Sequence, residues 1–364
     1  MTFSLDLYFR FSQFDFGFLQ KTHRDTARPG RKSVGGPAWR LLLAMLISAM
    51  ALWAPLSAFS EPPNPYYGQA LAKFQAGKFR EASEILAGAP REAPASAASE
   101  ILLARCDYEM GDWDGAILHA ESAVRLDSAN PEYHLWLGQA YGRKAENQRS
   151  FSLALKTRRQ FEQAVAVDPA ALDARRDLME FYLEAPWILG GSKDKARKQA
   201  EAIAKLNPVE GTLARAQYDE RTGNASRADT EYRRVLELKP NRVGPYLEVA
   251  DAGIAHKDVS ELGAAVSGAE KVNPADPRIT YYRGVAHILE DQRLAQAERD
   301  LKSYVAHAPD RRDYPSHASA LSWLGTLYER WGKPNLAMIE YEAALQLDPN
   351  FPVARKAIVR LKSQ

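Results

Sequence analysis

Six prolines punctuate the chain at near-regular intervals. Pro169, Pro208, Pro240, Pro274, Pro309 and Pro349 lie 39, 32, 34, 35 and 40 residues apart. A proline cannot continue a helix, so each marks the close of a unit. Self-similarity at a period of this size restricts a chain to an array of stacked units. The last interval shows the unit most clearly: residues 321–350 read LSWLGTLYERWGKPNLAMIEYEAALQLDPN. Leu321, Leu324, Leu327 and Tyr328 fall three and four apart, on one face of a helix. Gly325 shares that face, and a glycine inside a helix costs about 1 kcal/mol against alanine. Close approach of a second helix accounts for it. That second helix carries Ala337, Tyr341, Ala344 and Leu345 at the same spacing. Between the two, Gly332 can stop the first helix and Pro334 suits the first turn of the next. A two-helix hairpin cannot bury its apolar face alone and must stack on neighbours.

The skeleton Leu321-x2-Leu324-Gly325-x2-Tyr328, then Ala337-x3-Tyr341, Ala344 and Pro349, resembles the tetratricopeptide repeat (TPR), a 34-residue helix–turn–helix unit. The resemblance covers residues 66–362. It is sharpest in the terminal unit and in a third one, which opens with Trp136-Leu137-Gly138-x2-Tyr141 and closes on Phe161, Ala164 and Pro169. Ala82 and Ala116, in the first two units, are 34 residues apart, one full period. The pattern is weaker in the first, fourth, fifth and sixth units, and Thr157 and Leu262 stand where a central alanine is expected. Three insertions enlarge the array: around residues 143–151, in the loop 184–194 (EAPWILGGSKD), and around 310–316. The expected fold is all-α: a right-handed superhelical solenoid of about eight TPR units over residues 66–350. Residues 351–364 follow, with 353–361 as a capping helix over the last apolar face.

The first sixty residues differ in character. They hold seven Lys/Arg and three acids, a net +4, so the formal +2 of the whole chain leaves −2 for the remainder. That balance gives no basis for bulk nucleic-acid binding. Residues 41–60 (LLLAMLISAMALWAPLSAFS) carry no charge and follow a basic flank, the pattern of a cleaved secretory signal or, alternatively, an inner-membrane anchor. Either predicts an exported, periplasmic array. Residues 1–40 are expected to be a lead and basic flank, with 1–30 disordered or untranslated, and 61–65 (EPPNP) a stiff linker without helix. The single cysteine, Cys106, excludes an intramolecular disulfide and a cysteine-built zinc site.

In TPR proteins the first helix of each unit lines a concave groove that binds peptides. The resemblance maps that groove onto Arg105, Gln139, Glu180, Gln217, Asp251, Val285 and Thr326. It adds Ile101, Tyr108, Leu135, Arg176, Leu247, Tyr281 and Glu329 on the same faces. Two further candidates come from the insertions. Trp187 and Ile188 are apolar residues in a loop, where repeat proteins often carry binding. Arg143 begins a basic stretch with Lys144, Arg149, Lys156, Arg158 and Arg159, which suits an anionic partner or a solvated helix surface. Gly190-Gly191-Ser192 before a helix could cradle an anion, but Ser192 as a helix N-cap is the simpler reading.

The seven histidines are scattered, none at metal spacing. There is no GxSxG and no phosphate-loop spacing. The function expected is therefore non-enzymatic, without cofactor or metal: an envelope scaffold for a protein or peptide partner. The alternatives are a membrane-anchored protein that associates with itself and, last, an enzyme or enzyme subunit with chemistry in its insertions.

Overall fold

A computed structural model describes residues 65–89 and 96–363 of the chain. The described residues form seventeen α-helices and one short 3-10 helix, with no strand. The helices pair in sequence as hairpins: α1 (Pro65–Gln75) with α2 (Phe79–Ala87), α3 (Ala97–Met110) with α4 (Trp113–Leu126), and α5 (Pro131–Gln148) with α6 (Phe151–Val167). Then come α7 (Leu172–Glu184) with α8 (Lys193–Leu206), α9 (Pro208–Thr222) with α10 (Ala225–Glu237), and α11 (Val243–His256) with α12 (Val259–Val272). The series ends with α13 (Pro277–Leu289) and α14 (Leu294–His307), α15 (His317–Arg330) and α16 (Pro334–Leu347), and a final single helix, α17 (Pro352–Lys362). Each helix packs mainly on its neighbours in sequence, so the apolar core runs along the stack.

The hairpins close where small residues let two backbones approach. Ala82, Ala116, Ala228, Ala297 and Ala337 are buried at the start of second helices. Leu262 occupies the same place, and Thr157, one turn further into the longer α6, is equally buried. Thr157 fits because its hydroxyl donates to the Leu153 carbonyl at 3.1 Å and so leaves no polar atom unpaired. Gly325 behaves as its position predicts: a Cβ there would stand 2.6 Å from Tyr341 Cε1. Gly332 ends the hairpin's first helix with φ +66°, and Pro334 opens the second. Side-chain caps start many of the helices, among them Ser96, Asp112, Asn130, Ser150, Ser192, Asp258 and Ser316, each accepting from a backbone N–H of the first turn.

The insertion around 143–151 lengthens its hairpin: α5 has 18 residues and α6 has 17, against 14 each in α15 and α16. The capping helix is present, burying Ala354, Ala357 and Ile358 against the last hairpin. One boundary moves. Pro65, read as linker, is the first residue of α1, a position where its missing N–H costs nothing. The expectations for residues 1–40, 41–60 and 61–64 lie outside the described residues. No helix among the described residues is long and apolar enough to cross a membrane.

Candidate functional site

The first helices of four successive hairpins place Glu180, Gln217, Asp251 and Tyr281 on the wall of one cavity of about 560 Å³. These are four of the positions expected to face the groove, and Leu247 joins them. The cavity also takes Tyr232 from α10, Arg278 and Tyr282 from α13, and the segment from Arg312 to Ser316. Acids and tyrosines dominate. Tyr282 donates its hydroxyl to Asp251 at 2.8 Å, and Tyr281 shares a hydrogen bond with Ser319 at 2.8 Å. Burial, with Glu184 and Asp177 nearby, pushes the Glu180 carboxyl well above the usual carboxylate range, and Arg221 at 3.9 Å offsets this only in part.

Beneath this wall lies a buried charge network. Arg176 of α7 donates to Glu210 at 3.1 Å and to both oxygens of Glu248, at 3.0 and 2.5 Å. Gln217 donates to the same Glu248 carboxylate at 3.1 Å, and Arg242 pairs with Glu210. Burial opposes the Arg176 charge, but Glu248 and Glu210 outweigh it and hold its pKa above the ordinary value. Gln139 donates to Asp177 at 2.7 Å. Burial raises the Asp177 carboxyl to about 7 despite that bond. One consequence is that Arg176 and Gln139, read from sequence as groove residues, tie first helices to one another.

The remaining candidates are not brought to the large cavity. Arg105 is stacked between Phe74 and Trp136, its guanidinium carbon 4.7 and 5.1 Å from their ring centres. With Leu135 and Gln139 it lines a second cavity of about 440 Å³, bordered by Asp173, Glu210 and Arg242. Arg143 donates its Nε–H to the Tyr108 hydroxyl at 3.0 Å. Thr326 bonds within its own hairpin, to the Ser322 carbonyl and the Tyr341 hydroxyl. Glu329 accepts from Tyr341 and from Arg360 of the capping helix. Val285 and Ile101 are core residues.

The 184–194 loop splits its apolar residues. Leu189 is buried, and Arg158 holds its carbonyl at 2.8 Å. Ile188 is exposed, and Trp187 is 83% exposed. Ser192 is the N-cap of α8, accepting from Lys195 N–H at 3.3 Å. Gly191 is required by space: a Cβ would lie 1.6 Å from the Ala185 carbonyl oxygen. Cys106 is buried, its thiol pushed up to about 12 by loss of solvent. No group of three or more His, Cys, Asp or Glu among the described residues is placed to hold a metal.

Sequence reasoning missed the segment 310–316 as a wall of the cavity. The insertion was visible, but nothing in its composition says that it turns inward. It also missed Glu248, whose only signal was its position in the middle of a first helix.

Two stretches match repeat-family models: residues 105–144 match a TPR repeat, and residues 318–351 match a tetratricopeptide repeat. The chain thus carries tetratricopeptide repeats, and repeats of this kind support a scaffold for protein–protein interaction. A curated relative, the rhomboid protease GluP of Bacillus subtilis, is 30% identical over 118 residues, 32% of this chain and 23% of the relative. The chain thus spans under a quarter of that relative's length. Among solved structures, the APC/C hetero-tetramer Cut9-Hcn1 aligns over 81% of this chain and 55% of its own, with 15% identity and TM-score 0.47. A tetratricopeptide repeat protein from Parabacteroides merdae aligns over 82% of this chain and 98% of its own, with 15% identity and TM-score 0.42. MamA aligns over 46% of this chain and 92% of its own, at 20% identity and TM-score 0.36.

Proposed function

We propose that the protein is a non-enzymatic scaffold that holds an extended protein segment in its concave cavity. The observation that carries this is the convergence of Glu180, Gln217, Asp251 and Tyr281, from four successive first helices, on one cavity. The segment that suits it bears Lys or Arg side chains, because the Glu220 and Asp251 carboxylates line the wall beside the Tyr232, Tyr281 and Tyr282 rings. The tyrosines supply rigid faces for the aliphatic stems of such side chains. Because the wall is largely preformed, little conformational freedom is lost on docking. Exposed Trp187 and Ile188 form a second, outer contact for a folded part of the same partner.

The export reading of residues 41–60 puts this scaffold in the periplasm, either released or held at the inner membrane by that segment. N-terminal sequencing of the protein from envelope fractions tests it: a start near residue 61 supports release, and an intact N-terminus in the membrane fraction supports anchoring. Recovery only from the cytoplasm sinks both.

The groove reading is tested by photo-crosslinking. A photoreactive residue at Gln217, inside the cavity, is compared with one at Lys198, exposed on second helix α8. The expected result is one adduct from Gln217 that is lost with Asp251→Lys and absent from Lys198. Equal labelling from both positions would overturn the groove reading.

A further inference from the structure

The insertion at 310–316 does more than line the cavity: it reaches across the solenoid to the first two hairpins. Arg311 donates to the carbonyl of Gln75, the last residue of α1, at 3.4 Å, and lies over the Phe74 ring at 5.6 Å. Arg312 donates its backbone N–H to Glu109 at 3.0 Å and its Nε–H to the Tyr108 carbonyl, near the end of α3, at 3.2 Å. Its guanidinium lies over Trp113 and Tyr108, at 5.0 and 5.7 Å. Two adjacent arginines therefore meet the C-terminal ends of two adjacent first helices. There the last carbonyls lack helical partners and the helix dipole is negative. Aromatic faces complete each contact, and at the second one the Glu109 carboxylate accepts the Arg312 backbone N–H. Pro309 stands so close to the α1–α2 turn that a Cβ on Gly77 would meet it at 3.1 Å.

The near end of the insertion is held separately. Tyr304 donates to the Pro315 carbonyl at 2.6 Å, Arg278 lies over Tyr314 at 5.2 Å, and Arg311 pairs with Asp313 at 2.8 Å. Neighbouring hairpins adhere through a continuous apolar core with polar ties added to it, whereas this junction between distant hairpins is made chiefly of charges, carbonyls and ring faces. Such contacts are weakened by salt and are individually small.

We propose that the first two hairpins carry a site for a pair of adjacent arginines, filled within the chain by Arg311 and Arg312, and that this clasp is a releasable latch closing the solenoid on itself. With the latch shut, the segment from Arg312 to Ser316 forms one wall of the concave cavity; with it open, the part around Arg312 and Asp313 is released while Tyr304 and Arg278 keep Tyr314 and Pro315 in place.

The test uses the full chain and needs no partner, so its failure and the failure of the groove reading are distinguishable. The double variant Arg311→Gln/Arg312→Gln is compared with wild type by hydrogen exchange over residues 309–316 and by small-angle scattering. Circular dichroism verifies equal helix content. Several-fold faster exchange in this segment and a larger radius of gyration are expected. Raising salt should expand wild type toward the variant and leave the variant unchanged. An unaltered radius in the variant overturns the latch, whether or not the segment exchanges faster. Should the variant fold poorly, the salt series on wild type decides alone: no expansion at high salt overturns it.

Discussion

A methyl group on Gly325 would sit 2.6 Å from the Tyr341 ring, inside any tolerable carbon contact. Helix propensity favours alanine over glycine by about 1 kcal/mol, yet the ring is locked in the hairpin core. Gly325→Ala is therefore expected to lower stability by about 1–3 kcal/mol, the cost of overpacking a filled core. Gly68, within α1, meets nothing within 4 Å. Gly68→Ala should then stabilise by up to about 1 kcal/mol. Opposite shifts of Tm for the two variants check the pair. Gly325 was legible in the sequence because a glycine on the apolar face of a helix has few other reasons to be there. Asp177 was not, since its partner Gln139 lies 38 residues away on another hairpin. Its carboxyl is raised to about 7 when folded, from an ordinary 3.8. Between those values the folded state holds a proton that the unfolded state has released, so this group's contribution to stability falls as pH rises from about 4 to 7 and is level above. Urea titrations at pH 5 and pH 7.5 should show that fall, on the order of a few kcal/mol at most, and Asp177→Asn should flatten it.

Among elements, α7, α9 and α11 are joined by Arg176, Glu210 and Glu248, whose side chains are 5%, 2% and 7% exposed. Removing one member of a buried ionic group leaves the others uncompensated, at a cost of about 3–5 kcal/mol. Arg176→Ala is expected to lose that much in chemical denaturation. The triple change Arg176→Met/Glu210→Gln/Glu248→Gln should recover most of it, because no net charge then remains buried. Equal losses in both would mean that packing around the arginine stem matters more than its charge. The helices themselves were readable from spacing, turn prolines and caps. The network was not: the repeat pattern places Arg176 on a first helix but is silent on which of several facing acids it meets. For the same reason Thr326 and Glu329, which share groove positions in the repeat, bond instead to Tyr341 and Arg360. Near the end of the stack, a second helix and the cap compete for them.

For the whole molecule, the stack ends in α17, which covers the apolar face of the last hairpin with Ala354, Ala357 and Ile358. Truncation after Asn350 should uncover that face and cause concentration-dependent association, measured as a rise in sedimentation coefficient, with a lower Tm. A linear stack of repeats is also a chain of nearest-neighbour links, and heat frays such a chain from its tips inward. The contacts of Arg311 and Arg312 with Gln75, Tyr108 and Glu109 span 203 to 236 residues, far beyond the reach of any hairpin. They close the stretch from the first hairpin to the seventh into a loop. The first hairpin can then melt only by letting go of the insertion after the seventh, so the hairpins inside the loop share one transition, while α15, α16 and α17 lie beyond it. Forming the loop draws together residues distant in sequence, which makes its last step slow relative to the local zipping of hairpins. A molecule built from short-range pieces acquires, through two side chains, the all-or-none habit of a globule.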